Sequence, residues 1–193
     1  MAEPSIRQPD LLVAEGDPGA QLVLHCEADD APAIAALAGI SLPSEMLRSA
    51  ATGAWRALHL APDEWLLIGP VAERDAVAAR IGTAAQPQSL VDVSERNRHV
   101  RIAGRAAATL LRSACPLDLD ARAFPASGCT RTVFGKAAVL LERDADCFRM
   151  HYARSFRDYV LGLVRMAALD LPESRSNQGE EGGMATAAAD GAW

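Results

Sequence analysis

Two stretches of this chain set 83 positions apart carry matching residues in the same order, and that echo constrains the fold more than any other feature. Asp63-Glu64-Trp65 falls on Asp146-Cys147-Phe148, and Arg74-Asp75-Ala76-Val77 falls on Arg157-Asp158-Tyr159-Val160. Around both, the apolar pattern passes from a period near two to a period near 3.6 residues, which marks strands giving way to a helix. A strand, turn, strand, helix unit used twice predicts an α+β chain: a duplicated split βαβ with ferredoxin-like halves, its mostly antiparallel sheets covered by helices.

The remaining pattern fills out the two halves. Strands are expected over residues 21–26, 55–60, 64–68, 89–93, 99–103, 130–134, 137–142 and 147–151. Helices are expected over 31–38, started by Asp30 and Pro32, over 73–81, over 105–114, and over 155–169 with Ser155 as N-cap. Ala61-Pro62-Asp63 should turn a hairpin, because Pro presets φ and Asp bonds its own backbone. Residues 1–20, with Pro4, Pro9, Gly16, Pro18 and Gly19, read as an N-terminal arm. Residues 21–171 read as a single domain of two similar halves, about 21–94 and 95–171, and residues 172–193 as a disordered tail too poor in apolar side chains to offset its ordering entropy.

Charge narrows the partners. With 19 basic against 25 acidic side chains the net charge is −6, so a nucleic-acid or anionic membrane partner is not expected. The apolar runs fall far short of the roughly 20 residues that span a bilayer. The first ten residues lack the basic and apolar regions of an export signal, so a cytoplasmic location is expected. Cys26, Cys115, Cys129 and Cys147 are widely spaced without a Cys-x-x-Cys pair, and read as packed thiols rather than a metal or disulfide framework.

Chemistry-bearing groups are sparse. Asp63 and Glu64 read as carboxylates solvating a hairpin turn, with Trp65 packed in the sheet. The run Asp92-Val93-Ser94-Glu95-Arg96-Asn97-Arg98-His99-Val100-Arg101 is the densest polar stretch, yet no nucleophile elbow precedes Ser94. Strand alternation puts Val100 and Ile102 on the core face and His99 and Arg101 on the other. Arg96, Arg98 and Arg101 have two readings: contacts to a carboxylate on a partner or ligand, or a solvated rim paired with Glu95 and Asp92. Leu117 and Phe124, in the connection after Cys115-Pro116, likewise either meet a partner or pack on their own domain. Gly104 alone is too little for a dinucleotide loop, and His25, His59, His99 and His151 stand singly, so no catalytic or metal residue is assigned.

Six ordered motifs carry a resemblance. Asp-Glu-Trp-Leu-Leu at 63–67, Val-Asp-Val-Ser at 91–94, the stretch from Val100 to Leu111 around Gly104, Cys-Pro-Leu-Asp-Leu at 115–119, Ala-Phe-Pro at 123–125 and Ser-Phe-Arg-Asp-Tyr at 155–159 resemble the gamma subunit family of heterotetrameric sarcosine oxidase. The resemblance implies a fold similar to the folate-binding domain of aminomethyltransferase, the glycine cleavage T-protein. It also implies an accessory subunit, without its own catalytic residues, of a complex that oxidatively demethylates sarcosine to glycine with one-carbon transfer to tetrahydrofolate. FAD, FMN, NAD and tetrahydrofolate are then expected in the partner alpha, beta and delta subunits rather than in this chain. The alternatives are a stand-alone folate-binding or aminomethyltransferase-like protein, or a subunit of a related N-methyl amino acid dehydrogenase.

Overall fold

The computed structural model describes residues 4–145 and 147–171. In chain order the elements are β1 (Pro4–Gln8), β2 (Leu11–Gly16), β3 (Ala20–Cys26), α1 (Ala31–Ala38), β4 (Ser49–Thr52), β5 (Trp55–Ala61), β6 (Glu64–Gly69), α2 (Arg74–Gly82) and β7 (Gln88–Asp92). The second part holds β8 (Asn97–Ala103), α3 (Ala107–Arg112), β9 (Cys129–Phe134), β10 (Ala137–Asp144), β11 (Cys147–Ala153) and α4 (Arg157–Leu169). They build a five-stranded sheet in the order β4-β5-β6-β3-β7 and a six-stranded sheet in the order β1-β2-β8-β11-β10-β9, every pairing antiparallel.

The duplication is present in three dimensions. β3, β5, β6 and β7 with α1 and α2 form a split βαβ unit; β8, β10 and β11 with α3 and α4 repeat it. The offset of the sequence echo survives: a 3₁₀ turn at Val71–Glu73 runs into α2 at Arg74, and one at Arg154–Phe156 runs into α4 at Arg157. Both helices open on an Arg-Asp pair, Arg74 to Asp75 at 2.9 Å and Arg157 to Asp158 at 3.2 Å. Ser155 is therefore not the N-cap. It lies inside the 3₁₀ turn, whose backbone is already helical, and the cap position of α4 is Phe156 with no side-chain hydrogen bond. The echo residue Asp146 and the segment read as a tail, 172–193, lie outside the described residues.

The N-terminal segment is no arm. The prolines and glycines that break its pattern flank two short strands, and β2 pairs with β8 while β1 pairs with β2. In the first half, the strand beside β3 is β7; in the second, the corresponding place beside β8 is filled by β2, from the other end of the chain. The hairpin is clamped at its turn. The Ala106 N–H donates to the Asp10 carbonyl at 3.0 Å, and the Arg105 guanidinium donates to the Asp10 carboxylate at 2.6 and 2.9 Å. Gly104 permits this approach: its φ is +103°, and a Cβ there would lie 2.4 Å from the Asp10 carbonyl oxygen. α3 is correspondingly shorter than the sequence pattern suggests, its first residues being spent on that turn.

Each sheet carries its two helices on one face. Leu22, Leu24, Ala57, Trp65 and Leu67 meet Ile34 of α1 and Val77 and Ile81 of α2. Val13, Val100, Ile102, Leu141 and Phe148 meet Leu110 of α3 and Val160 and Val164 of α4. The helix-free faces pack on one another through Leu58, Leu60, Leu66 and Ile68 from one sheet and Cys129 and Leu140 from the other. The layer order is thus helix, sheet, sheet, helix. Because Leu11 is buried in the second core, Leu11→Ala should cost about 2–5 kcal/mol, a fall in Tm on the order of 10 °C. An unstructured arm would give no change; a thermal melt followed by circular dichroism distinguishes the two.

Candidate functional site

The polar groups of the chain converge between the two sheets. Alternation in β10 sends Val139 and Leu141 toward the helices and Leu140 and Glu142 toward the opposite sheet. In β11 the same rule turns Arg149 and His151 inward, and in β8 it turns His99, directly across from His151, with ring centroids 5.3 Å apart. Glu142 is 2% exposed and accepts a hydrogen bond from Arg56 of β5, so one carboxylate ties the first half to the second. Arg149 approaches the other carboxylate oxygen at 3.8 Å and also donates to Asp144 at 2.9 Å; His151 Nε2 lies 3.9 Å from Glu142. A second tie runs the other way, from Arg131 of β9 to Glu64 of β6.

Electrostatics follow from this crowding. Burial opposes ionisation of Glu142, but His151, Arg56 and Arg149 around it hold its carboxyl below the usual range. Burial, then the neighbouring His151, Arg56 and Arg149, push the His99 imidazole down to about 4. Burial lowers His151 likewise. With both imidazoles neutral, the two arginines are balanced by Glu142 and Asp144. His99 is pressed against β2: a Cβ on Gly16 would fall 2.0 Å from its Nε2.

Beside this cluster the sheets part to leave a cleft of about 510 Å³. Val23, Leu60, Leu66 and Leu140 give it an apolar wall, and Arg96, Asn97, His25 and the Glu64–Arg131 pair give it a polar margin. Ser94, which the sequence left without a nucleophile elbow, is a bolt between strands. Its hydroxyl accepts the Gln21 N–H at 2.9 Å and donates to Asp92 at 2.5 Å, while Asp92 pairs with Arg74 at 3.1 Å. The cysteines Cys26, Cys115, Cys129 and Cys147 are all buried and unbridged, and burial pushes Cys129 up to about 12.

The residues singled out in the sequence do not form one patch. Arg98 shares the helix side of β8 with Val100, whereas Arg101 lies on the inter-sheet side, where its Nε donates to Cys147 Sγ at 2.9 Å. Arg98 binds the Asn97 carbonyl at 3.1 Å and Glu95 at 3.4 Å; Arg96 stands at the cleft margin. Phe124 is corrected to a core residue. It is 5% exposed, stacked 6.5 Å from Phe148, and its carbonyl accepts from Arg143 at 2.8 Å; Leu117 packs on the same core. Glu64 is corrected too, since it pairs across the halves rather than solvating its turn. The Arg56–Glu142–His151–His99 group escaped sequence reasoning because alternation marks a second face without saying what covers it.

Two consequences can be measured. Glu142→Ala strands Arg56, while Arg149 keeps Asp144 at 2.9 Å, and should cost about 3–5 kcal/mol, whereas the double change Arg56→Met with Glu142→Leu should fall within about 1 kcal/mol of wild type in urea titrations. Acid should weaken the fold through His99. The unfolded chain binds the imidazole proton from about pH 6.5 downward and the folded chain only near pH 4, so stability falls as pH drops through that window. Urea midpoints between pH 7 and 4.5 should decline, and His99→Asn should flatten the decline.

Comparison with known proteins agrees with this architecture. The family model described as sarcosine oxidase, gamma subunit family matches residues 26–169. Sarcosine oxidase subunit gamma from Arthrobacter sp is 34% identical over 118 residues, 59% of this chain and 57% of that protein. The subunit gamma of Corynebacterium sp. (strain U-96) is 32% identical over 133 residues, 67% of this chain and 64% of that protein. The matched region thus spans less than two thirds of the length of these relatives. A chain of the heterotetrameric sarcosine oxidase from Corynebacterium sp. U-96, solved with pyrrole 2-carboxylate, superposes with a TM-score of 0.74 at 26% identity, covering 85% of this chain and 86% of that one. Aminomethyltransferase T of the glycine cleavage system from Bartonella henselae shares the fold, with a TM-score of 0.61 at 10% identity over 80% of this chain and 45% of that one. The matched family model runs from the end of β3 to the end of α4, well over half of the chain and across the join between its halves, and the chain belongs to the sarcosine oxidase gamma subunit family.

Proposed function

We propose that this chain is the accessory gamma subunit of a heterotetrameric sarcosine oxidase, a complex that oxidatively demethylates sarcosine to glycine and passes the one-carbon unit to tetrahydrofolate. Its partners are the larger alpha, beta and delta subunits, which carry FAD, FMN, NAD and tetrahydrofolate, and the assembly works in the cytoplasm. The observation that carries this reading is the likeness, over most of both chains, to a chain of the heterotetrameric oxidase.

Physical features of the chain support a structural rather than a catalytic part. Glu142, Arg56 and Arg149 are engaged with one another, His99 and His151 are held neutral by burial, and the Cys129 thiol stays protonated. Catalytic groups need a shared opening to substrate, and these are spent on joining two sheets. Among the described residues no helix is long and apolar enough to cross a membrane.

A second reading rests on the inter-sheet cleft, whose volume suits a small ligand and whose margin carries Arg96. There the chain would bind a folate by itself. One experiment separates the two. Co-expressed with the larger subunits, the chain should elute with them as a flavin-containing complex, while the isolated chain should not oxidise sarcosine. A chain that elutes apart from them, yet gains several degrees in Tm with tetrahydrofolate, overturns the subunit reading.

A further inference from the structure

Four strands end the two sheets: β1 and β9 in one, β4 and β7 in the other. Two of these edges close on each other where the halves join. The Ser49 N–H donates to the Ser127 carbonyl at 2.7 Å, the Cys129 N–H donates to the Leu47 carbonyl at 3.0 Å, and Arg48 bridges to Gly128. β1 is blunted by the charge of Arg7 within it. β7 holds no proline and no basic residue; its one charge, Asp92 at the strand end, is taken up by Arg74 at 3.1 Å and by the Ser94 hydroxyl, and Val91 is 49% exposed.

The backbone of β7 is ready to pair again. Its register against β3 sets Val91 opposite Val23 and Leu90 opposite Leu24, and the Val93 N–H donates to the Gln21 carbonyl at 2.8 Å. In an antiparallel ladder the bonded pairs alternate, so Ser89, Val91 and Val93 face β3 and the N–H and C=O groups of Leu90 and Asp92 point away from it. The duplication supplies the precedent. β2 occupies beside β8 the place that β7 occupies beside β3, and the outer edge of β2 is covered by an added antiparallel strand, β1. Among the described residues β7 has no such cover.

We propose that β7 receives an extended segment of a larger oxidase subunit as a sixth, antiparallel strand, with an uncharged apolar side chain laid over Val91. Main-chain bonds at Leu90 and Asp92 hold the segment, and the apolar contact at Val91 sets its register. This rests on the gamma subunit reading above and names the edge through which it operates.

Hydrogen exchange of the full chain, isolated and in the complex purified with the larger subunits, tests it. The Leu90 and Asp92 amides should exchange freely in the isolated chain and slow at least tenfold in the complex, while Ser89 and Val91, already bonded to β3, change less. Val91→Lys should weaken assembly at least tenfold without lowering the Tm of the isolated chain. A complex that forms with exchange at Leu90 and Asp92 unchanged overturns the proposal and leaves the subunit reading intact. Failure to form any complex overturns both. Protection already present in the isolated chain overturns it as well, assigning the edge to the chain's own residues, or to a second copy if it rises with concentration.

Discussion

Burying both faces of both sheets is the constraint on which the rest depends. One face of each sheet is covered by its own helices, but the other is covered only by the opposite half, so neither half has a finished core without its twin. Leu58, Leu66 and Leu140 give the contact its apolar content, and Glu142 with Arg56 gives it a unique alignment. Two apolar sheet faces can slide at little cost. A buried carboxylate that must meet one guanidinium on the other sheet cannot, because any other alignment leaves a charge without a partner in a poorly solvated layer.

The same layer bears on function. The ionisable groups a catalytic domain would turn toward substrate are here turned toward each other, and their charges balance only while His99 and His151 remain neutral. The fold is shared with aminomethyltransferase T, and in this chain the cleft between the halves has Arg96 and the Glu64–Arg131 pair at its margin.

Much of the fold was legible because the hydrophobic period is a local signal. Residues 31–38 are helical as expected, and the 55–60 and 64–68 strands differ from the observed ones by a residue at one end. The misses share one cause. β1 and β2 are short and bounded by Pro9 and Gly16, so their alternation is visible only to a reader who knows that β8 lies alongside; β4, built of Ser, Ala and Thr, has almost no pattern at all. The candidate site was harder still. Glu142 and His151 look like ordinary outward positions on half-buried strands, and only the tertiary pairing of the sheets makes them interior. Phe124 shows the converse, since an aromatic residue in a long connection reads as a contact for something else until Phe148 is found beneath it.

The borrowed strand β2 also fixes an order of events on the ribosome. Residues 4–16 leave the exit tunnel ahead of every other described strand, yet the strand they must join starts at Asn97 and is itself flanked by β11, which ends at Ala153. The intervening unit from β3 to β7 has all its strand partners in hand well before then. The β1–β2 hairpin therefore waits without its neighbour β8 while the whole β3–β7 unit emerges, and the six-stranded sheet closes only after Ala153 has followed.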